Sequence, residues 1–212
     1  MQRLTPRLSA IANLVEPNSR IADVGTDHGY LPVYLVKAGV VKSAIASDVN
    51  SLPLSSCKAL VEQEGLCDVI NTRLSNGLDN IENDEFDNLI IAGMGGELIA
   101  EILSRKDLKD KHLILNPMTH PEITRKYLYD NGFEILNDII INEGKHYYNI
   151  FDAKYTGVIE KKTRADYYLG GIKDFTHKGY FLHLLNYLKN KSKSGENLED
   201  VIKAVEEAYD NS

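Results

Sequence analysis

The chain predicts an α/β fold: a Rossmann-like, doubly wound sheet of seven strands, the last one antiparallel, followed by a small C-terminal α-helical hairpin. Three observations carry this. Short apolar runs alternate with helical patterns through the first 130 residues, the layout of a parallel sheet with crossover helices. Two of those runs end in glycine-rich turns, IADVGTDHGYLP at 21–32 and IAGMGGELI at 91–99. Finally, residues 133–141 and 146–155 read as a hairpin around Asn142-Glu143-Gly144-Lys145. Dehydrogenase sheets do not usually end in a hairpin, so the sheet closes with an antiparallel strand.

Taken in order, Thr5-Pro6 reads as an N-cap and first helical residue, and Leu8, Ile11, Ala12 and Val15 recur at helical spacing. A strand at 20–24 leads into the first glycine turn. The helix from Tyr30 ends before Gly39, a natural left-handed stop. A strand over 44–48 ends in Asp48, a helix spans 51–64, and a third strand covers 69–74 before Ser75-Asn76-Gly77. The near-continuous apolar run 86–92 fits a central parallel strand. A fifth strand over 112–115 stops at Asn116-Pro117, and a helix runs from Pro121 to Asn131-Gly132. Beyond Tyr155 the spacing predicts helices over 172–188 and 198–209, with Leu182, Leu185 and Leu188 facing Leu198, Ile202 and Val205. The division is a first domain over 1–157 and a helical domain over 158–212.

Composition narrows the function classes. A hydrophobic share of 43% and a charged share of 26% are ordinary for a soluble globular protein. No targeting leader or membrane span is evident, which predicts a cytoplasmic protein with no membrane partner. Cys57 and Cys67 lack metal or redox spacing, and no metal is expected. The net charge of −7 is unevenly spread. Residues 156–195 hold 8 Lys+Arg against 3 Asp+Glu, whereas 196–212 hold 1 against 6. The basic stretch includes Lys161, Lys162, Arg164, Lys173 and Lys178, interleaved with aromatics. It reads either as a phosphate-contacting surface or as a solvated helix face.

The chemistry is carried by the first glycine turn. A dinucleotide fingerprint starting at Gly25 needs glycines where Asp27 and Tyr30 stand. Pyrophosphate beside a buried carboxylate at Asp27 would be repelled, so the turn favours a ligand without phosphates and with positive charge. S-adenosylmethionine, a sulfonium with an ammonium group, fits. Asp48, at a strand end, is placed to accept from a ribose hydroxyl pair.

These stretches, with AIASDV at 44–49 and RLSNGL at 73–78, resemble the bacterial tRNA (adenine(22)-N(1))-methyltransferases, with NGFEI at 131–135 a weaker match. The resemblance covers residues 1 to about 155 well and the tail in outline. It implies a class I methyltransferase domain that uses S-adenosylmethionine, leaves S-adenosylhomocysteine and acts on tRNA, with a helical tail that helps hold the RNA. Carried onto this chain, Asp23, Gly25, Thr26, His28, Gly29 and Leu31 line the methionine part of the cofactor. Asp48 and Val49 hold the ribose and adenine edge, Asn76 and Gly77 reach the adenine, and Ala92, Gly93 and Met94 floor the pocket. Asp27 is the expected catalytic group, stabilising the purine cation. Arg3, Arg7, Asn116, Lys161, Lys162, Arg164, Lys173 and Lys178 are the expected RNA contacts. Asn76 and Asn116 stand where the family commonly has Asp and Gln, and Tyr168-Leu169-Gly170-Gly171 replaces a segment often containing Gly-Pro. Two other readings remain at this point: a methyltransferase for another substrate with a dimerising tail, and a non-enzymatic RNA-binding protein that keeps the fold. The oligomeric state stays open, a monomer being plausible.

Overall fold

In the computed structural model, residues 3–172 and 178–210 are described; Lys173 lies outside them. Seven strands form one sheet in the order β3-β2-β1-β4-β5-β7-β6. These are β1 (Arg20–Val24), β2 (Ser43–Asp48), β3 (Ile70–Leu74), β4 (Asn88–Gly95), β5 (His112–Thr119), β6 (Phe133–Glu143) and β7 (His146–Tyr155). The pairs from β3 to β5 are parallel, and β7 lies antiparallel to both β5 and β6. The order reverses between β1 and β4, and the crevice at that switch is where such sheets place ligands.

Each face of the sheet has its own core. Helices α1 (Pro6–Leu14), α2 (Tyr30–Lys37) and α3 (Ser51–Gln63) cover Ile21, Ala46, Ile90 and Ile114 on one face. On the other, α4 (Gly96–Ser104) and α5 (Pro121–Asp130) cover Val24, Leu89, Ile91 and Phe151. Leu89, Ile90 and Ile91 are fully buried yet alternate between the two cores, which is why this strand reads as an unbroken apolar run. The expected N-cap of α1 holds: the Thr5 hydroxyl accepts from Leu8 N at 3.3 Å.

Three strand ends differ from the sequence expectation. β4 begins at Asn88, because Asn83–Glu85 forms a 3-10 turn with reciprocal Glu82 and Glu85 caps, and this turns Phe86 into the core. At their carboxyl ends β4 and β5 continue through Gly95 and Thr119, where turns were expected. Their pairing slips twice there, at Ala92/Met94 and Met94/Gly95. Pro117 is tolerated because β5 loses its β7 partner after Leu115.

Among the described residues the tail has three helices: α6 (Arg164–Leu169), which the periodicity did not announce, α7 (Lys178–Lys193) and α8 (Glu199–Asp210). A Thr163/Asp166 capping box starts α6. Phe181, Leu185, Leu188, Leu198, Val201 and Val205 form the tail's core, joined by Ile140 of β6. Leu182, expected in that core, is half exposed, and Phe181 takes the inward position.

The seam between sheet and tail is polar. Arg125 of α5 is fully buried, and its Nε donates to Asp138 Oδ2 at 2.8 Å. Its Nη1 donates to the Tyr167 and Tyr168 carbonyls of α6 at 2.9 and 3.0 Å. Gly170 makes this possible. A Cβ there would lie 2.1 Å from Asp138 Oδ2 and 2.4 Å from Arg125 Nε, and its φ is +64°.

Candidate active site and cofactor cavity

The turn after β1 is welded to β2: Gly25 N and Thr26 N both donate to the Ser47 carbonyl, at 2.8 and 2.9 Å. Gly25, Asp27 and Gly29 are left-handed, with φ of +77°, +53° and +74°. For Gly25 and Gly29 close approach also demands glycine. A Cβ at Gly25 would lie 2.4 Å from Met94 Cε, and one at Gly29 2.4 Å from Cys57 Sγ. Aspartate adopts the left-handed region at lower cost than most residues.

This geometry corrects one expectation. Asp27 is not the buried carboxylate of the turn; its side chain is 68% exposed, 3.7 Å from His28 Nε2. The buried carboxylate is Asp23, at the end of β1, which accepts from the Thr26 hydroxyl at 2.6 Å. Burial disfavours its anion and pushes its pKa up to about 6; the Thr26 bond opposes this, and the Asp48 charge adds to it.

Asp23 and Asp27 open onto a cavity of about 310 Å³. Arg7, Gly25, Thr26, His28, Leu31, Asp48, Ala92 and Gly93, all singled out in the sequence, line it as well. The remaining singled-out residues lie outside that lining. Gly29 and Met94 support the turn through the packing just described. Val49 is 59% exposed beside Asp48. Across the β2–β3 register from Asp48, Leu74 is 52% exposed, so two apolar side chains flank this strand end in the open. Asn76 donates to Asp79 Oδ2 at 3.1 Å. Gly77 is turned toward α4, where a Cβ would meet Ile102 Cγ1 at 3.0 Å.

Sequence reasoning missed Leu8 and Tyr30 as cavity residues, because helical spacing alone assigns both to packing. It also missed the connection between Arg7 and Asn116. Asn116, an expected RNA contact, is wholly buried. Its Oδ1 accepts from Arg7 Nη1 at 2.8 Å, and its Nδ2 donates to the Asn149 carbonyl at 2.8 Å. Arg7 lies over the Tyr148 ring, 5.4 Å from its centroid, and its buried Nε has no hydrogen-bond partner among the described residues. The guanidinium is thus held at the cavity wall, its Nε 3.9 Å from Glu143 Oε2.

The basic stretch is less free than its charge suggests. Arg164 pairs with Glu196, Lys162 with Glu160, and Lys189 with Glu206 at 2.7 Å. Lys178 sits over the Tyr209 ring at 5.9 Å. Two of these three acids belong to the acidic 196–212 stretch, so the tail offsets part of its own charge. Arg3 and Lys161 are exposed. Among the described residues no cluster of His, Cys, Asp or Glu is placed to hold a metal ion, and no helix is long and apolar enough to cross a membrane.

Known proteins share both sequence and fold. Residues 4–151 match a family model described as a methyltransferase domain. The tRNA (adenine(22)-N(1))-methyltransferase of Bacillus subtilis is 36% identical over 168 residues, 74% of this chain and 70% of that protein. A putative tRNA (m1A22) methyltransferase from Streptococcus pneumoniae, solved with S-adenosyl-L-methionine, superposes with a TM-score of 0.88 at 33% identity. That match covers 98% of this chain and 100% of the other. TrmK from M. capricolum, solved with S-adenosyl-homocysteine, gives a TM-score of 0.82 at 28% identity, covering 99% of each chain. With this much of the sequence and fold in common, the chain belongs to the tRNA (adenine(22)-N(1))-methyltransferase family.

Proposed function

We infer that the chain methylates N1 of adenine 22 in tRNA, using S-adenosylmethionine held in the cavity at the β1–β4 switch. The observation that carries this is the set of charged groups around one cavity: a buried acid, a rim acid, a strand-end acid and a guanidinium. These match an ammonium, a developing purine cation, a ribose diol and a carboxylate. When bound, the cofactor supplies an electrophilic methyl on a sulfonium.

Asp23 and the Gly25–Thr26 turn would hold the ammonium end, and Arg7 the carboxylate, with Asn116 as a positioning residue behind Arg7. Asp48 would accept from the ribose. Val49 and Leu74 would sandwich the cofactor's adenine, with Asn76 as an acceptor for its amine. Ala92 and Gly93 form the floor, where the absence of bulk lets the ligand approach the backbone. Adenine N1 carries a free lone pair, so no base is needed to deprotonate it. The purine turns cationic as the new bond forms, and Asp27 at the rim stabilises that charge. N1 also lies on the pairing edge, so the base must leave its stack, at about a few kcal/mol. Incubating the chain with tRNA and S-adenosylmethionine, then mapping the methylated oligonucleotide fragments by mass spectrometry, tests the reading. 1-Methyladenosine at position 22 is the expected product; methylation elsewhere, or none, sinks it.

Asp23 gives a pH signature. Its folded pKa of about 6 lies above its ordinary value of 3.8. Between those values the folded chain keeps a proton that the unfolded chain has lost, so the stability of the free protein falls as pH rises through this window. An ammonium beside Asp23 favours the anion and expels that proton. Cofactor binding at pH 6 is expected to release about half a proton, as follows from a group half-protonated at its pKa. Calorimetry in two buffers of different ionisation enthalpy measures this. Asp23→Asn should abolish the release, and no release from the unaltered chain would remove Asp23 from the ammonium site.

For the tail, point substitutions are cleaner than truncation. Cutting near Gly157 would strip two carbonyls from Arg125 and uncover Ile140. Lys161 is exposed, whereas Lys162 and Arg164 are paired to acids. Lys161→Ala is therefore expected to flatten the slope of log K against log salt for tRNA by roughly 0.7–0.9, one phosphate contact. Lys162→Ala should change it less. Equal slopes for Lys161→Ala and the unaltered chain would take Lys161 off the RNA surface.

A further inference from the structure

A second cavity, of about 260 Å³, opens where the end of β5 meets α7. Met118, Tyr147, Tyr180, His183 and Tyr187 stand in its wall, and it shares no lining residue with the cofactor cavity. Tyr147 and Tyr180 meet edge to face with centroids 6.1 Å apart, and Tyr147 lies 6.3 Å from the His183 ring. Gly179 seats this group: a Cβ there would lie 2.0 Å from the Tyr147 hydroxyl. Tyr147 therefore stands where any side chain at 179 would displace it. Met118 and Tyr187 are 39% and 37% exposed, so the wall is open to solvent.

We propose that this aromatic cavity takes one unstacked nucleobase of the RNA substrate, a base other than the one methylated. The inference rests on the reading of the chain as a tRNA methyltransferase. Four observations favour a base over other occupants. The cavity sits on the same carboxyl edge of the sheet as the cofactor site: Gly95, two residues after the cavity-lining Gly93, is in register with Thr119 of this wall. Its volume of about 260 Å³ accommodates one ring system. Glu122 and Asn149 also line it, which sets two polar side chains beside the rings. Finally, Lys191 lies 5.8 Å from the Tyr187 ring centroid, which brings a cation beside the aromatic wall, its charge shared with Glu196 at 3.3 Å and Glu122 at 3.9 Å.

The physical role follows from the substrate. Exposing adenine N1 breaks stacking on both sides of that nucleotide, and stacking a freed neighbour on tyrosine offsets part of the cost. The two cavities are joined through the backbone and side chains of Asn116 and Asn149. Asn116 bonds both Arg7 and the Asn149 carbonyl, while the Asn149 side chain accepts from Tyr180.

The test compares Tyr187→Ala, Tyr187→Phe and His183→Ala in the full chain, measuring tRNA affinity across a salt series and S-adenosylmethionine affinity by calorimetry. Tyr187 is exposed, so its replacement leaves the tail core intact. Tyr187→Ala is expected to weaken tRNA binding about tenfold, the scale of one lost base stack. Its salt slope and cofactor affinity should match the unaltered chain, and Tyr187→Phe should bind like it. Unchanged tRNA affinity in both alanine variants overturns the proposal. So does a loss that comes with a flatter salt slope, which assigns the face to phosphate contacts through Lys191. A chain that binds tRNA but leaves N1 unmethylated sinks the reading of the cofactor cavity, and the Tyr187 comparison still decides this one.

Discussion

Asp27→Asn is expected to lower the single-turnover methylation rate roughly 10²–10³-fold, the scale of one preorganised electrostatic group. The substitution isolates charge. Asparagine keeps the size and an acceptor, and it also tolerates the left-handed backbone that Asp27 adopts at φ +53°. The turn should therefore keep its shape, and with it the bonds of Gly25 and Thr26 to Ser47. Cofactor affinity should fall by no more than about tenfold, ~1.4 kcal/mol. The exposed position of Asp27 supports this split between rate and affinity. The buried acid facing the cavity is Asp23, so the ammonium already has a partner, and Asp27 at the rim is left for the incoming base. The rival outcome is a steep loss of cofactor affinity with the rate restored at saturation. That would make Asp27 a binding group only. Single-turnover rates at saturating cofactor, beside direct binding measurements, separate the two.

The fold was legible because its signals are local. Apolar runs, left-handed stops at Gly39 and Gly65, and the Gly144 hairpin all lie within short windows, and the sheet order follows once the helices alternate with strands. The cofactor cavity was legible for the same reason: most of its lining comes from two contiguous turns and one strand end. Which acid of the first turn faces inward was not. That depends on three left-handed residues in five, and the sequence announces only the two glycines. Nor was Asn116 legible as the residue behind Arg7, since they lie 109 positions apart and meet only when α1 packs against the β6–β7 hairpin. The charge of the tail misled for a related reason. Counting residues gives a basic block, whereas folding brings the acidic end back against it, so Arg164 and Lys189 meet Glu196 and Glu206.

The largest stability loss is expected at the seam, from Asp138→Ala. Arg125 and Asp138 are both almost wholly buried, and removing the carboxylate leaves a guanidinium without a counter-charge in the interior. Breaking such a pair costs about 3–5 kcal/mol, a large share of the ~5–15 kcal/mol that holds a domain folded. The Tyr167 and Tyr168 carbonyls cannot compensate, because they satisfy hydrogens and carry no net charge. The loss should be concentrated in the tail. α6 is held by those two carbonyls, and the Gly171 amide donates to Asp138 at 3.3 Å, so amide exchange should accelerate across α6–α8. Cofactor affinity should hold, since neither residue lines the cofactor cavity. Replacing both partners with apolar side chains, as Arg125→Met with Asp138→Leu, should recover most of the stability lost by Asp138→Ala, because the desolvation cost leaves with the charges. Urea denaturation gives the first number and hydrogen exchange the location. A change below about 1 kcal/mol for Asp138→Ala, the range of exposed ion pairs, would mean that water reaches the seam and that the apolar core of the tail alone holds it to the sheet.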